Sequence, residues 1–115
     1  MFHLPVLGTG DGGIYTTGAD VHRFWTALFS GAIVSPDSVA QMVRPRSTAP
    51  DDDRRYGLGF WVHPTRDVVQ LEGYDAGVSF TSTHEHDRRI TASVISNTAE
   101  GAWPFVELFD RELGI

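Results

Sequence analysis

Apolar side chains recur along this chain with two different periods, and the change of period divides it. Val21, Phe24, Trp25, Leu28 and Phe29 fall at i, i+3, i+4, i+7 and i+8, which makes one buried stripe of an α-helix. Thr17 is placed to cap its N-terminus. Asp20 sits in the first turn, where the helix dipole favours a carboxylate, and Gly31 supplies the stop. A second, shorter helix is predicted from Ser35, with Pro36 at its first position and Val39, Met42 and Val43 as its apolar face. Arg44-Pro45 ends it, because the residue before a proline disfavours helical angles.

The period then shortens to two. Tyr56, Leu58, Phe60 and Val62 alternate with Gly57, Gly59 and Trp61 and predict a strand. His63 to Asp67 reads as a turn. A second strand is expected from Val68 to about Thr83, bent or broken between Gly73 and Gly77. A third runs from Ile90 to Ser96, with Ile90, Ala92 and Val94 on one face, and His84 to Arg88 forms the hairpin tip between the two. A closing helix carries Ala102, Phe105, Val106, Phe109 and Leu113 on one side, with Pro104 in its first turn. The expected fold class is α+β: a three-stranded antiparallel sheet with N-terminal helices and a C-terminal covering helix. Such a short sheet has open edges that need pairing or protection. Residues Met1 to Thr9 read as an extended, apolar lead-in of the kind found inside a longer chain.

Composition narrows the picture. The 115 residues suffice for one small domain with one core, and 41% apolar content marks a globular chain. A net charge of −6 argues against nucleic acid as a partner, since phosphate binding needs a basic surface. With no cysteine, disulfides, thiolate catalysis and cysteine zinc sites are excluded. No apolar run has the length of a membrane span, and the first residues lack a signal-peptide pattern. The compartment stays open between bacterial cytoplasm and export.

Chemistry has few candidates. Asp51-Asp52-Asp53 lies in a polar stretch, Arg46 to Arg55, that reads as a solvated loop in preference to a metal site. His84, Glu85 and His86, with His63 as a further imidazole, offer zinc-ligand chemistry, but turns favour polar residues without any metal. No metal or other cofactor is expected. Ser79 and Ser93 lack both a Gly-x-Ser-x-Gly elbow and a lysine three residues later. His3 and His22 read as surface residues, and Phe24, Trp25, Phe29, Trp61, Trp103 and Phe105 as core packing, with Trp61 alternatively covering the second sheet face. The stretch Glu72-Gly73-Tyr74-Asp75-Ala76-Gly77-Val78-Ser79-Phe80 is the most informative. Its glycines allow a close backbone approach or angles closed to other residues.

Four segments, in order, resemble the C-terminal part of the serine β-lactamase and penicillin-binding protein family: class C β-lactamases, D-alanyl-D-alanine peptidases and related esterases. They are Gly10-Asp11-Gly12-Gly13-Ile14-Tyr15-Thr16-Thr17, Tyr56-Gly57-Leu58-Gly59-Phe60, Tyr74-Asp75-Ala76-Gly77 and Val94-Ile95-Ser96-Asn97. The resemblance implies that residues 1–115 form one domain, the C-terminal portion of a β-lactamase-like domain. It implies that Tyr74 takes the lysine or histidine position of the family's Lys-Thr-Gly or His-x-Gly strand, with Asp75 and Ala76 following. Gly77 would then offer the oxyanion-hole N–H. Tyrosine carries no positive charge at neutral pH, so the departure at Tyr74 suits a neutral ester or amide better than a carboxylate-bearing substrate.

The same resemblance implies a Ser-x-x-Lys nucleophile and a Tyr-x-Asn element, neither of which occurs here. All nine basic residues are arginine, which cannot serve as the base because it stays protonated. The expectation is a fragment of a serine hydrolase, without catalytic residues of its own and inactive alone. Its partner would be the missing N-terminal part of the same enzyme. The alternative is a non-catalytic binding or assembly module that forms a homo-oligomer through its exposed sheet edges.

Overall fold

A computed structural model describes residues 7–10, 12–48 and 54–115. Both N-terminal helices form where the signals place them. α1 spans Gly18–Phe29, and the Thr17 hydroxyl accepts the Asp20 N–H at 3.2 Å. α2 spans Pro36–Met42 and is capped by Ser35, whose hydroxyl accepts the Ser38 N–H at 3.2 Å. Gly31, with φ +79°, turns the chain between them.

The strands are β1 (Ser47–Thr48), β2 (Arg55–Tyr56), β3 (Trp61–Val62), β4 (Val68–Asp75), β5 (Val78–Glu85) and β6 (Ile90–Ser96). They form one antiparallel sheet in sequence order, so the sheet has six strands where three were expected. Two differences account for most of the excess. The Tyr56–Val62 alternation is not one strand. Gly57 N–H bonds the Phe60 carbonyl at 2.8 Å, Gly59 has φ +88°, and a hairpin turn separates β2 from β3. A side chain on Gly57 would strike the Met42 carbonyl, so this glycine answers to close approach. Leu58 is accordingly exposed while Phe60 and Val62 are buried.

The second difference is the expected strand from Val68 to Thr83, which is a complete hairpin. Asp75 pairs with Val78 across Ala76-Gly77, and Gly77 has φ +79°. A left-handed third position after an ordinary second one is the pattern of a type II turn. Asp75 Oδ1 accepts the Ala76 N–H at 2.7 Å and helps fix the turn. His84 and Glu85 thereby belong to β5, and the tip beyond them is His86 to Arg89. Part of the expected Arg46 to Arg55 loop is strand, since Ser47-Thr48 pairs with Arg55-Tyr56. Asp51 to Asp53 and the first six residues lie outside the described residues.

Successive residues of β4 face opposite layers, as the pleat requires. Val69 joins Val21, Trp25, Leu28, Val39, Phe60 and Val62 in the core under α1 and α2. Val68 joins Ala92 and Ile115 in a smaller cluster with Phe109, on the side of α3 (Trp103–Leu113). The expected covering stripe of α3 is poorly covered itself: Phe105 is 43% and Leu113 38% exposed.

β5 lies between β4 and β6, one strand in from the end of the sheet, and is the most buried strand, although it reads Val-Ser-Phe-Thr-Ser-Thr-His-Glu. Its polar side chains find partners in the neighbouring strands and in both helical layers. Trp25 Nε1–H donates to Ser82 Oγ at 2.7 Å, and Ser82 and Ser93 hydroxyls meet at 2.7 Å. Gln70 Nε2 donates to Thr81 Oγ1 at 3.0 Å. His84 stacks on Trp25 with ring centroids 5.4 Å apart, and its Nδ1 lies 2.8 Å from Thr91 Oγ1. His84 Nε2 is buried with no hydrogen-bond partner.

That burial holds the His84 imidazole below its ordinary pKa, and charge on His86 and on His22 of α1 acts in the same direction. An unfolded chain takes up this proton as pH falls through about 6.5, while the folded chain resists until lower pH. The stability contribution is therefore complete above about pH 6.5 and declines below it. We expect the urea midpoint to fall between pH 7 and pH 5.5. His84→Phe, which keeps the ring stack, should flatten that decline; an unchanged slope would show that another group controls it.

Candidate functional site

The β4–β5 hairpin carries the four site residues expected from sequence. Val62 and Trp61 of β3 pair with Val69 and Gln70, so from Leu71 to Asp75 β4 is paired with β5 alone among the described strands. This leaves a row of backbone donors and acceptors along one edge. Tyr74 is 75% exposed, and Asp75, Ala76 and Gly77 are exposed around the turn. A Cβ on Gly73 or Gly77 would meet nothing within 4 Å. Gly77 therefore answers to backbone angle, not to crowding. The Ala76 N–H is already engaged by Asp75.

A groove of about 570 Å³, open to solvent, lies beside this edge and is lined by Trp61, Glu72, Gly73, Tyr74 and Trp103. Its walls follow from register. Trp61 pairs with Gln70, and Gln70, Glu72 and Tyr74 alternate onto the same face. Trp103 enters from the start of α3 and meets Tyr74 edge-on, with centroids 6.0 Å apart at 86°. The Arg54 guanidinium lies 4.4 Å above the Trp61 ring centroid, a cation–π contact. The same group donates to Glu72 Oε2 at 2.9 Å, and Gln70 Nε2 donates to that oxygen at 3.3 Å. The Glu72 carboxylate is thus neutralised from within the fold. Sequence reasoning placed Trp61 and Trp103 in core packing and missed the groove. The glycine-spaced Trp61 was the available signal, through the option that it covers the second face.

α3 is tied to the hairpin by a fully buried serine. Ser79 Oγ–H donates to the Thr98 carbonyl at 2.7 Å, and the same oxygen accepts the Ala102 N–H at 3.0 Å. This clamp fixes the residue before Trp103 and stands directly opposite Tyr74 in the ladder. Ser79 is therefore a structural residue, and Ser93 is engaged by Ser82. The remaining polar candidates do not converge. His63 Nδ1 accepts the N–H groups of Thr65 and Arg66 at 3.2 and 3.0 Å within its turn. Burial, then the Arg66 charge, lowers the His63 pKa. Glu85 takes Arg88 at 3.0 Å, while His84 and His86 pack against Phe29. Among the described residues, no group of three or more His, Asp or Glu side chains is placed to hold a metal ion. The Gly12 to Thr17 segment leads into α1 with Ile14 and Tyr15 in solvent, and Asp11 lies outside the described residues. No helix among the described residues is long and apolar enough to cross a membrane.

An α+β arrangement of helices on one antiparallel sheet is the class of structure that the four segments implied. The Beta-lactamase family model matches residues 2–114, and the chain belongs to that family. The penicillin binding protein from Bacillus halodurans superimposes with a TM-score of 0.85 at 28% identity. That match covers 94% of this chain and 34% of the other, so the chain spans about a third of that protein's length. No curated protein matches the chain.

Replacing Ser79 with alanine leaves the Thr98 carbonyl and the Ala102 N–H without their shared partner. We expect a loss of about 2 kcal/mol in urea unfolding, the cost of buried groups left unpaired. A variant as stable as the parent would remove the clamp from this account.

Proposed function

We propose that this chain supplies one wall of a serine acyl-transfer site. The observation that carries the proposal is the open edge of β4 from Leu71 to Asp75, ending in an exposed glycine turn and flanked by a groove. In this reading Tyr74, Asp75, Ala76 and Gly77 line the substrate, and the Gly77 N–H faces the oxyanion that develops as a serine attacks an acyl carbon. The chemistry would be acylation of that serine followed by hydrolysis. The intact family's substrates would be β-lactams, D-alanyl peptides or esters. Tyr74 replaces a cation, which favours a neutral ester or amide here.

The nucleophile and its base come from elsewhere, because the chain holds no lysine and no Ser-x-x-Lys. The family match across residues 2–114, on a relative three times as long, supports an N-terminal part of the same enzyme as the partner. A second reading has its own observation. Among the described strands β6 is bonded on one side only, and Ile95 on it is 47% exposed, which suits a non-catalytic module that assembles through this edge. A monomer by light scattering removes that reading.

The purified chain, offered a chromogenic β-lactam and 4-nitrophenyl acetate, should show no turnover above buffer. Turnover abolished by replacing a single serine of this chain would overturn the proposal.

A further inference from the structure

We propose that the groove between Trp61 and Trp103 binds a neutral aromatic group, as the ring of an ester or amide substrate. The inference rests on reading the β4–β5 hairpin as an acyl-transfer wall, and it names what that wall would hold. Three aromatic side chains reach this groove from three separate elements: Trp61 from β3, Tyr74 from β4 and Trp103 from the start of α3. Its volume of about 570 Å³ falls in the range of small-molecule sites, roughly 300–1,000 Å³. Trp61 and Trp103 are only half-buried, and Tyr74 is 75% exposed. Their rings are therefore available for the offset or edge-on contacts that aromatic ligands make.

Charge decides the kind of ring. Among the described residues, Glu72 is the only charged one lining the groove, and its Oε2 already accepts from Arg54 at 2.9 Å and from Gln70 at 3.3 Å. A cationic ligand would compete with Arg54, which already lies over Trp61. An anionic ligand would have to displace Glu72 from Arg54, inside a chain of net charge −6 that has no lysine. A neutral ring meets neither penalty. Gly73 leaves space at the strand edge, since a Cβ there would touch nothing within 4 Å.

The chain's three tryptophans make the test specific, because Trp25 is fully buried in the opposite layer. The ¹⁵N-labelled 115-residue chain is titrated with N-benzylacetamide, and with hippurate as a carboxylate-bearing counterpart, while the three indole N–H signals are followed. The Trp61 and Trp103 signals should shift saturably while that of Trp25 stays. Hippurate should bind at least about fivefold more weakly, the scale of one unfavourable charge contact near a protein surface. Tyr74→Ala should weaken N-benzylacetamide binding by about fivefold, through loss of one aromatic contact. The exposed position of Tyr74 spares the fold, and an unmoved Trp25 signal verifies this in the variant. No saturable shift at Trp61 and Trp103, equal affinity for hippurate, or unchanged affinity in Tyr74→Ala would each overturn the inference. Failure here removes the aromatic ligand and leaves the turnover assay to judge the acyl-transfer wall. Serine-dependent turnover by this chain would remove the wall and leave the binding result standing.

Discussion

Trp25 buries its indole completely and donates to Ser82, which in turn meets Ser93. Through these contacts the α1 layer is fastened to a strand with hardly any apolar side chains. Burying a hydroxyl without a partner costs on the order of 1–3 kcal/mol, so the run of polar residues in β5 is tolerated only where its members are satisfied. Ser79, Thr81, Ser82 and Glu85 are, through partners in β4, β6, the helices and the following loops, while His84 bonds Thr91 through Nδ1 and keeps Nε2 buried without a partner. Directional bonds of this kind define register more sharply than apolar contact does, because a slip of one residue would turn each hydroxyl to the wrong face.

The hairpin inherits its position from that strand. β4 is paired with β5 over its whole length but with β3 only at Val69 and Gln70. Its distal half is therefore supported from one side and open on the other. Ser79 brings the start of α3 against the same segment, and Trp103 comes to rest on Tyr74. A firm spine, an open edge and an aromatic groove are thus consequences of one set of buried hydrogen bonds.

Helices were the legible part of this sequence. The stripe from Val21 to Phe29, the caps at Thr17 and Ser35, and the proline at position 36 are local signals, and the structure follows them. β6 was equally legible from Ile90, Ala92 and Val94. The strand count was not. Gly57 and Gly59 interrupt an alternation that reads as one strand, and their turn depends on the Met42 carbonyl, which is distant in sequence. Asp75-Ala76-Gly77 was read as a bend because polar residues continue on both sides of it. Periodicity finds buried strands by their apolar residues, so it had no means of marking β5 as the most buried strand of the sheet. The groove was hidden for a related reason. Trp61 and Trp103 look like core aromatics until register and the start of α3 bring them to one face.

This member of the β-lactamase family thus holds its most buried strand by polar pairing and leaves the turn between β4 and β5 exposed. Amide hydrogen exchange on the 115-residue chain tests that division most directly. The account predicts slow exchange from Ser79 to Glu85, near the limit set by global unfolding, and fast exchange at Ala76 and Gly77. Exchange in β5 as rapid as at the hairpin turn would contradict it.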